Sequence, residues 1–390
     1  MIGFAGVLAL REGKISDTVK DELKKNVISK INNFKELDNS NFYYISSCHS
    51  TNEISFDDKN KLILFFFGKI KNLNEISVLI NEHHANENTA SILLKAYKKF
   101  GTSIFDKING AFSLCVFNTQ EKTVILSKDH IGMRPLFYFQ TENTLFFGSE
   151  INFFKDFCKN GPQMNRDRVL HYLIYTSGYK SQTFFKDIFR VPAGNYIEIS
   201  KDFKSTTQYN FYEYNKNDDL AEEAAKKLKK TLKRSILSDI TDLDLIGSKL
   251  SGGLDSSTIS GLLLKHLKNE RIEFFSVIYT FLNREDLHKV DEKKYIQDFE
   301  NFFRKKTNFV DFNNENIVTP YAYDLNDDEP NFIPNRYFDI NLTKNVSDKG
   351  IKHIFDGFDG DSIISYGKSY LHDLGRDFKI KKLIIHKKQL

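Results

Sequence analysis

Ser251-Gly252-Gly253-Leu254-Asp255-Ser256-Ser257 follows a short apolar-ended run, Leu245 to Leu250, and precedes a segment with Ile259, Leu262, Leu263 and Leu267 at i, i+3, i+4 and i+8. That order predicts a strand, a small-residue turn and the start of a helix. Two glycines remove the Cβ atoms that would hold a backbone away from a ligand. Free N–H groups and the positive end of the helix then face an anion such as phosphate. Ser256 and Ser257 add hydroxyl donors. Asp255 would repel a bare phosphate, so its presence calls for a bridging cation, with Mg²⁺ the best fit.

The bland alternative is a Ser/Gly/Asp turn that only caps a helix. All seven positions, together with both flanks, fit the anion role. The stretch resembles the pyrophosphate-binding loop of ATP pyrophosphatases. It differs from the Walker loop, which ends in Gly-Lys-Ser/Thr and does not occur in this chain.

Downstream, strand candidates Leu245–Leu250, Phe274–Tyr279, Phe309–Phe312 and Ile351–Phe355 alternate with helical stretches, the pattern of a parallel, doubly wound sheet. Ligands bind beyond the carboxyl ends of such strands. Asp356-Gly357-Phe358-Asp359-Gly360-Asp361 leaves the last strand as the loop at 251–257 leaves the first, so both can face one crevice. Upstream, residues 1–205 read as strand-rich: Ile2–Leu10, Phe42–Ser46, Leu62–Phe67, Ala111–Phe117, Thr123–Leu126 and Leu145–Phe147. One helix stands out among them, with Leu93, Ala96, Tyr97 and Phe100 on one face. The polar run 201–220 reads as a linker. A helix follows it, with Ala221, Ala224, Ala225, Leu228 and Leu232 on one stripe and Glu222–Lys226 and Glu223–Lys227 as supporting pairs. Domains are therefore expected at 1–205 and 206–390.

At 390 residues the chain has room for two or three domains. A formal net charge of +4 is too small to imply a nucleic-acid partner. The apolar start, Met1 to Leu10, is interrupted by Arg11 and Glu12 and is too short to span a membrane. Cys48, Cys115 and Cys158 are odd in number and lack metal spacing, which argues against a disulfide framework and for a reducing compartment, the cytoplasm.

Two blocks carry a family resemblance. One is Leu250 through Ser257. The other is Ile108-Asn109-Gly110-Ala111-Phe112 with Lys128-Asp129-His130-Ile131-Gly132-Met133-Arg134-Pro135-Leu136-Phe137-Tyr138. In this order and separation they resemble the glutamine-hydrolysing asparagine synthetases, a group that includes β-lactam synthetases and lasso-peptide cyclases. The resemblance implies an α/β protein: an N-terminal αββα glutaminase-type sandwich, then a doubly wound parallel-sheet ATP-pyrophosphatase domain. It implies ATP and Mg²⁺, with Leu250, Ser251, Gly252, Gly253, Asp255, Ser256, Ser257, Tyr279, Asp356 and Gly357 around the nucleotide, and Asp255 and Asp361 on the metal.

The first domain departs from the family at its glutamine site. Active members carry a cysteine directly after Met1, whose own amine serves as base; here that residue is Ile2. The family's Asn-Gly-Glu segment is Phe67-Gly68-Lys69, and its aspartate falls at Asn88. Loss of glutamine hydrolysis is the expectation. Cys48-His49 is no substitute dyad, because neighbours in an extended segment point to opposite faces. His83-His84 reads as solvated and His130 as structural.

The second domain departs at Phe358, where the family has a glutamate near the reacting acyl group, and at Ser362 after Asp361. Both cast doubt on asparagine as the product. Asp328-Glu329-Pro330-Asn331 reads equally as a set of acceptor-site carboxylates or as a solvated acidic turn, and Asp291-Glu292 before Tyr295 as a helix start. Members also continue into a helical region carrying a lysine that stabilises charge in acyl transfer. The domain therefore reads as truncated, and the chain as a fragment, a decayed copy, or a split product whose partner chain supplies those helices. The resulting expectation is an AMP-forming amide ligase acting on a small-molecule or peptide carboxylate and an amine or ammonia. The rival is a decayed or split homologue that binds nucleotide or serves as a scaffold. Homodimer formation stays open.

Overall fold

The computed structural model describes residues 3–48, 52–81, 87–158, 161–174, 176, 180–209, 221–240, 245–267, 269–279, 285, 291–311, 328–330, 336–363 and 375–376 of the 390. The chain divides into two compact units, Met1–Asn217 with Asp328–Pro330, and Asp218–Asp327 with Asn331–Leu390.

The strands of the first unit are β1 (Phe4–Ala9), β2 (Phe34–Asp38), β3 (Phe42–Ser47), β4 (Asn52–Asp57), β5 (Leu62–Ile70), β6 (Gly110–Asn118), β7 (Thr123–Lys128), β8 (Phe137–Gln140), β9 (Thr144–Gly148), β10 (Ile188–Arg190), β11 (Asn195–Ile199) and β12 (Lys204–Gln208). Its helices are α1 (Asp17–Ile28), α2 (Leu73–Ile80), α3 (Thr89–Phe100) and α4 (Arg166–Leu173). The strands make two antiparallel six-stranded sheets, ordered β10-β8-β9-β1-β3-β2 and β12-β11-β7-β6-β5-β4.

Period-two alternation sorts the side chains into layers. Phe4 and Leu8 of β1 join Phe65 and Phe67 of β5 and Phe117 of β6 in the aromatic layer between the sheets. Ala5, Val7 and Ala9 turn the other way, onto Leu23 and Val27 of α1. Leu64 and Phe66 meet Ile76 of α2 and Leu93 and Ala96 of α3 on the opposite outer face. The result is the expected αββα sandwich.

The polar run read as a linker begins as structure. β12 pairs with β11 from Lys204↔Ile199 to Gln208↔Asn195. An edge strand with one wet side accepts polar residues, which makes it resemble a linker in sequence.

The second unit contains β13 (Ile246–Lys249), β14 (Ile272–Ile278), β15 (Thr307–Asp311) and β16 (His353–Phe355), with α5 (Ala221–Asp239), α6 (Leu254–His266), α7 (Lys293–Phe303), α8 (Arg336–Asp348) and α9 (Gly360–Ile363). The four strands are parallel, in the order β15-β14-β13-β16. Ile236, Leu263, Ile296 and Phe299, from α5, α6 and α7, pack on one side with Phe274. Leu342 and Val346 of α8 pack on the other with Phe275. Helices cover both faces, as the alternating pattern predicted. The chain runs outward from β13 through β14 to β15 on one side, while β16 lies on the other. The crevice between the carboxyl ends of β13 and β16 is therefore a topological switch point, the usual place for a ligand in such sheets.

Candidate functional site

Residues 251–253 leave β13 at that crevice. Leu250 is tied to the sheet by its N–H to the Phe275 carbonyl at 2.8 Å. Buried Ser248 and Ser260 share a hydroxyl hydrogen bond at 2.9 Å, which fixes α6 against β13. The turn is folded by its own serines. The Ser251 N–H donates to Ser256 Oγ at 3.2 Å, and the Gly253 N–H to Ser251 Oγ at 3.3 Å. Ser256 is 6% exposed and also reaches the Gly253 carbonyl at 3.2 Å. Its hydroxyl thus shapes the loop from inside rather than facing outward as an added donor. The N–H groups of Gly252, Leu254 and Asp255 have no acceptor among the described residues. With the start of the 13-residue helix α6 behind them, they form an anion-binding edge.

Gly252 adopts φ +95°, and a Cβ there would lie 3.0 Å from the Glu292 carbonyl and 3.3 Å from Tyr295 Cβ. Only glycine suits both the conformation and the close approach of the α7 start. Asp291 Oδ1 accepts the Lys293 N–H at 2.9 Å, so Asp291-Glu292 does open a helix, and it does so beside the phosphate-type loop.

The second acidic turn closes on the first. A Cβ on Gly357 would stand 2.6 Å from the Ser256 nitrogen. One on Gly360 would stand 2.2 Å from both Cγ and Oδ2 of Asp255. The Asp255 carboxylate therefore lies against the residue that precedes Asp361. Asp356 Oδ1 accepts the Phe358 N–H at 3.2 Å and folds the turn, and Asp359 sits at φ +63°. Phe358 and Leu254 project outward, 84% and 87% exposed.

Beside these loops is a cavity of about 180 Å³ whose lining includes Lys249, Leu250, Ser251, Val277, Tyr279, Glu292 and Asp339. Three of the expected nucleotide residues, Leu250, Ser251 and Tyr279, meet there. Tyr279 stacks edge-on against Phe338 at 5.4 Å, and burial, then the Glu292 charge, raises the affinity of its phenol for its proton. Lys249 was not anticipated. Its Nζ lies 2.7 Å from Asp339 Oδ1 and 3.4 Å from Asp356 Oδ2, which engages the Asp356 side chain on both oxygens. Among the described residues no cluster of three or more His, Cys, Asp or Glu could hold a metal, and no helix is long and apolar enough to cross a membrane.

In the first unit, Phe67 is 3% exposed, packs on Phe4 at 5.1 Å and carries the Arg134 guanidinium 5.2 Å above its ring. Lys69 points to solvent. Gly68, at φ +142°, faces the Ala111 carbonyl so closely that a Cβ would meet it at 2.1 Å, so this glycine serves the sheet. Asn88 caps α3 by accepting the Ser91 N–H at 2.8 Å. Ile2, His49, His83, His84 and Asn331 lie outside the described residues. Cys48 is exposed, while Cys115 and Cys158 are buried. His130 sits edge-on against Tyr209 at 5.5 Å.

The organising residue of the 128–138 block is Asp129. It is fully buried and accepts N–H groups from Phe112, Ile131, Gly132, Met133 and Arg134 at 2.7–3.2 Å. Asp328 and Glu329 are neither acceptor-site carboxylates nor a solvated turn. Asp328 accepts the Ile151 and Asn152 N–H groups at 2.5 and 3.0 Å, and Glu329 accepts the Phe184 N–H at 2.7 Å and pairs with Arg190.

Two family models match the chain. A model of the glutamine amidotransferase domain matches residues 51–210, and one described as asparagine synthase matches 227–383. A putative asparagine synthetase [glutamine-hydrolyzing] 2 of Methanocaldococcus jannaschii is 25% identical over 339 residues, 84% of this chain and 62% of that protein. Asparagine synthetase [glutamine-hydrolyzing] 2 of Bacillus subtilis is 26% identical over 222 residues, 52% of this chain and 29% of its own length. The chain thus spans less than two thirds of the relatives it matches. Among solved structures, the match to a glutamine phosphoribosylpyrophosphate amidotransferase from B. subtilis covers 79% of this chain and 80% of that chain at 9% identity and TM-score 0.37.

Proposed function

The chain belongs to the glutamine-hydrolysing asparagine synthetase family, and from that premise we propose that it is an ATP-dependent, AMP-forming carbon–nitrogen ligase. A substrate carboxylate oxygen attacks the α-phosphorus of ATP, the bond to the bridging oxygen breaks, and pyrophosphate leaves. Ammonia or an amine then attacks the acyl carbon, AMP departs, and the nitrogen loses a proton. The observation that carries this reading is the placement of the Asp255 carboxylate against Gly360, which sets two acidic turns beside one row of unengaged N–H groups. Those amides would hold the departing diphosphate, and Leu250 and Tyr279 would hold the nucleoside end. The protein's contribution is orientation and charge stabilisation.

Asp255 and Asp361 suit Mg²⁺, which takes one or two carboxylates together with phosphate oxygens and waters. Bound there, the ion would neutralise charge on the leaving pyrophosphate. Glutamine hydrolysis is lost in this reading. Ile2 offers no nucleophile, Phe67 fills its space with an aromatic ring, and Asn88 is engaged as a helix cap. The amine therefore arrives as ammonia or as a substrate amine. Three free cysteines fit a reducing compartment, the cytoplasm.

The test is carboxylate-dependent exchange of labelled pyrophosphate into ATP across a broad panel of acids, with Asp255→Ala as control. Exchange that depends on both the acid and Asp255 supports the reading. A panel without exchange, together with an Asp255→Ala variant that binds MgATP like the parent, overturns it. Release of glutamate from glutamine would overturn the hydrolysis clause alone.

A further inference from the structure

Lys249 stands just past the paired residues of β13 and β16, whose last register pair is Ser248↔Phe355, so Lys249 and Asp356 are neighbours at the carboxyl ends of adjacent strands. The lysine side chain is 26% exposed and lines the cavity beside the phosphate-type loop. Its ammonium bridges Asp339 on α8 at 2.7 Å and Asp356 at 3.4 Å. The second Asp356 oxygen takes the Phe358 N–H, and two residues later Gly360 lies against Asp255. A continuous line of contacts runs from Lys249 through Asp356 and the turn to the Asp255 carboxylate.

Asp339 and Asp356 are 51% and 39% exposed, and pairs this open add little to global stability. Their consequence is local. Without the cation, two carboxylates that share one ammonium face each other, and the turn that carries Gly360 and Asp361 is the mobile partner, because Asp339 is fixed in a 13-residue helix. We propose that Lys249 is a positioning residue that latches the 356–361 turn over the loop at 251–257.

The test compares the full chain with Lys249→Met, Lys249→Arg and Asp356→Asn. The first readout is hydrogen exchange at the Phe358 and Gly360 amides. The second is calorimetric binding of a non-hydrolysable ATP analogue with Mg²⁺, an arm that rests on the reading of this site as an MgATP site. In Lys249→Met, the turn amides exchange and the analogue dissociates about tenfold more readily, the scale of a lost partly exposed interaction. The β14 amides and the thermal midpoint hold. Lys249→Arg restores both readouts. Asp356→Asn keeps an acceptor for Phe358 but drops the bridge, so its turn also exchanges faster, which decides the matter should Lys249→Met fold poorly.

Wild-type exchange rates in the turn of both Lys249→Met and Asp356→Asn overturn the latch. Weakened binding without faster exchange also overturns it, since Lys249 would then touch the nucleotide itself. A parent protein that ignores the analogue sinks the MgATP reading, while hydrogen exchange still decides the latch.

Discussion

Gly360→Ala is the sharpest probe of the site. The added methyl would sit 2.2 Å from Cγ and Oδ2 of Asp255 and 2.8 Å from Oδ1. Non-bonded heavy atoms settle near 3.5 Å, so the carboxylate must retreat by roughly 1 Å. The obstacle is the end of a side chain, which can rotate away. Gly360 opens α9 without a positive φ, so alanine itself is tolerated there. Alanine also restricts the unfolded chain, and the net change in stability stays within about 1 kcal/mol. Function responds differently. A misplacement of about 1 Å in a positioned group can cost about 100-fold, or ~2.7 kcal/mol of transition-state stabilisation. Pyrophosphate exchange should therefore fall about 100-fold while the melting curve barely moves. Because the clash is with a carboxylate, Gly360→Ala should add nothing in an Asp255→Ala background. Gly357→Ala provides the contrast. Its methyl meets the Ser256 backbone nitrogen at 2.6 Å, which cannot rotate away, so it should lower stability by about 1–3 kcal/mol as well as activity. A Gly360→Ala protein with parental exchange, or a double variant worse than Asp255→Ala alone, would refute the apposition of the two turns.

Two further outcomes concern the first unit. Asp129→Asn keeps the shape but replaces one acceptor oxygen with an NH₂ group facing N–H donors, so it should destabilise the unit by about 2–4 kcal/mol in urea unfolding; parental stability would show that the five amides do not depend on the carboxylate. Burial lowers the Lys128 ammonium from its usual 10.5 to about 8, so the fold favours the neutral amine. The stability linked to this depressed value is fully present above about pH 10.5 and is lost as pH falls through about 8. Lys128→Met should therefore gain up to about 3 kcal/mol at pH 7 and flatten the rise in stability toward pH 10, measured as the difference from the parent; an unchanged slope would contradict the burial.

Much of this was legible in local pattern. β13, the turn at 251–257 and α6 follow from two glycines, an aspartate and a helical stripe, all within one short segment. The parallel strands announced themselves as apolar runs between helical ones. Elements with mixed faces stayed hidden. α1 buries only Leu23 and Val27 of its 12 residues, and lysines and acids fill the rest, so its stripe is too thin to stand out. β12 is a polar edge strand. Lys249 carries no signal in the sequence because its partner Asp339 lies 90 residues away. Asp328 and Glu329 looked like free carboxylates for the same reason, since their partners lie between 139 and 177 residues back along the chain. Tertiary partners of charged side chains leave no periodic trace.

The two resemblance blocks therefore carry different kinds of information. In the block at 128–138, the chemistry-bearing side chain is buried and turned onto main-chain amides, so the motif reports how the sandwich is folded, whatever stands at the glutamine positions. A scaffold motif of this sort can persist around Phe67 and Asn88, because Asn88 is engaged as a helix cap and Phe67 meets the network through the Arg134 guanidinium, whereas Asp129 holds the Arg134 main-chain N–H. In the block at 250–257 the fold-building serines and the unengaged amides are interleaved, and the facing glycines at 357 and 360 allow close approach to Asp255 and Ser256. Gly360, without a positive φ and placed where a methyl would strike a carboxylate, fits an approach kept open for chemistry rather than for a turn, while Gly357 keeps the backbone of the two turns close. The case for a working ligase site thus rests on Gly357 and Gly360, and the amidotransferase-type block adds to the case for the fold alone.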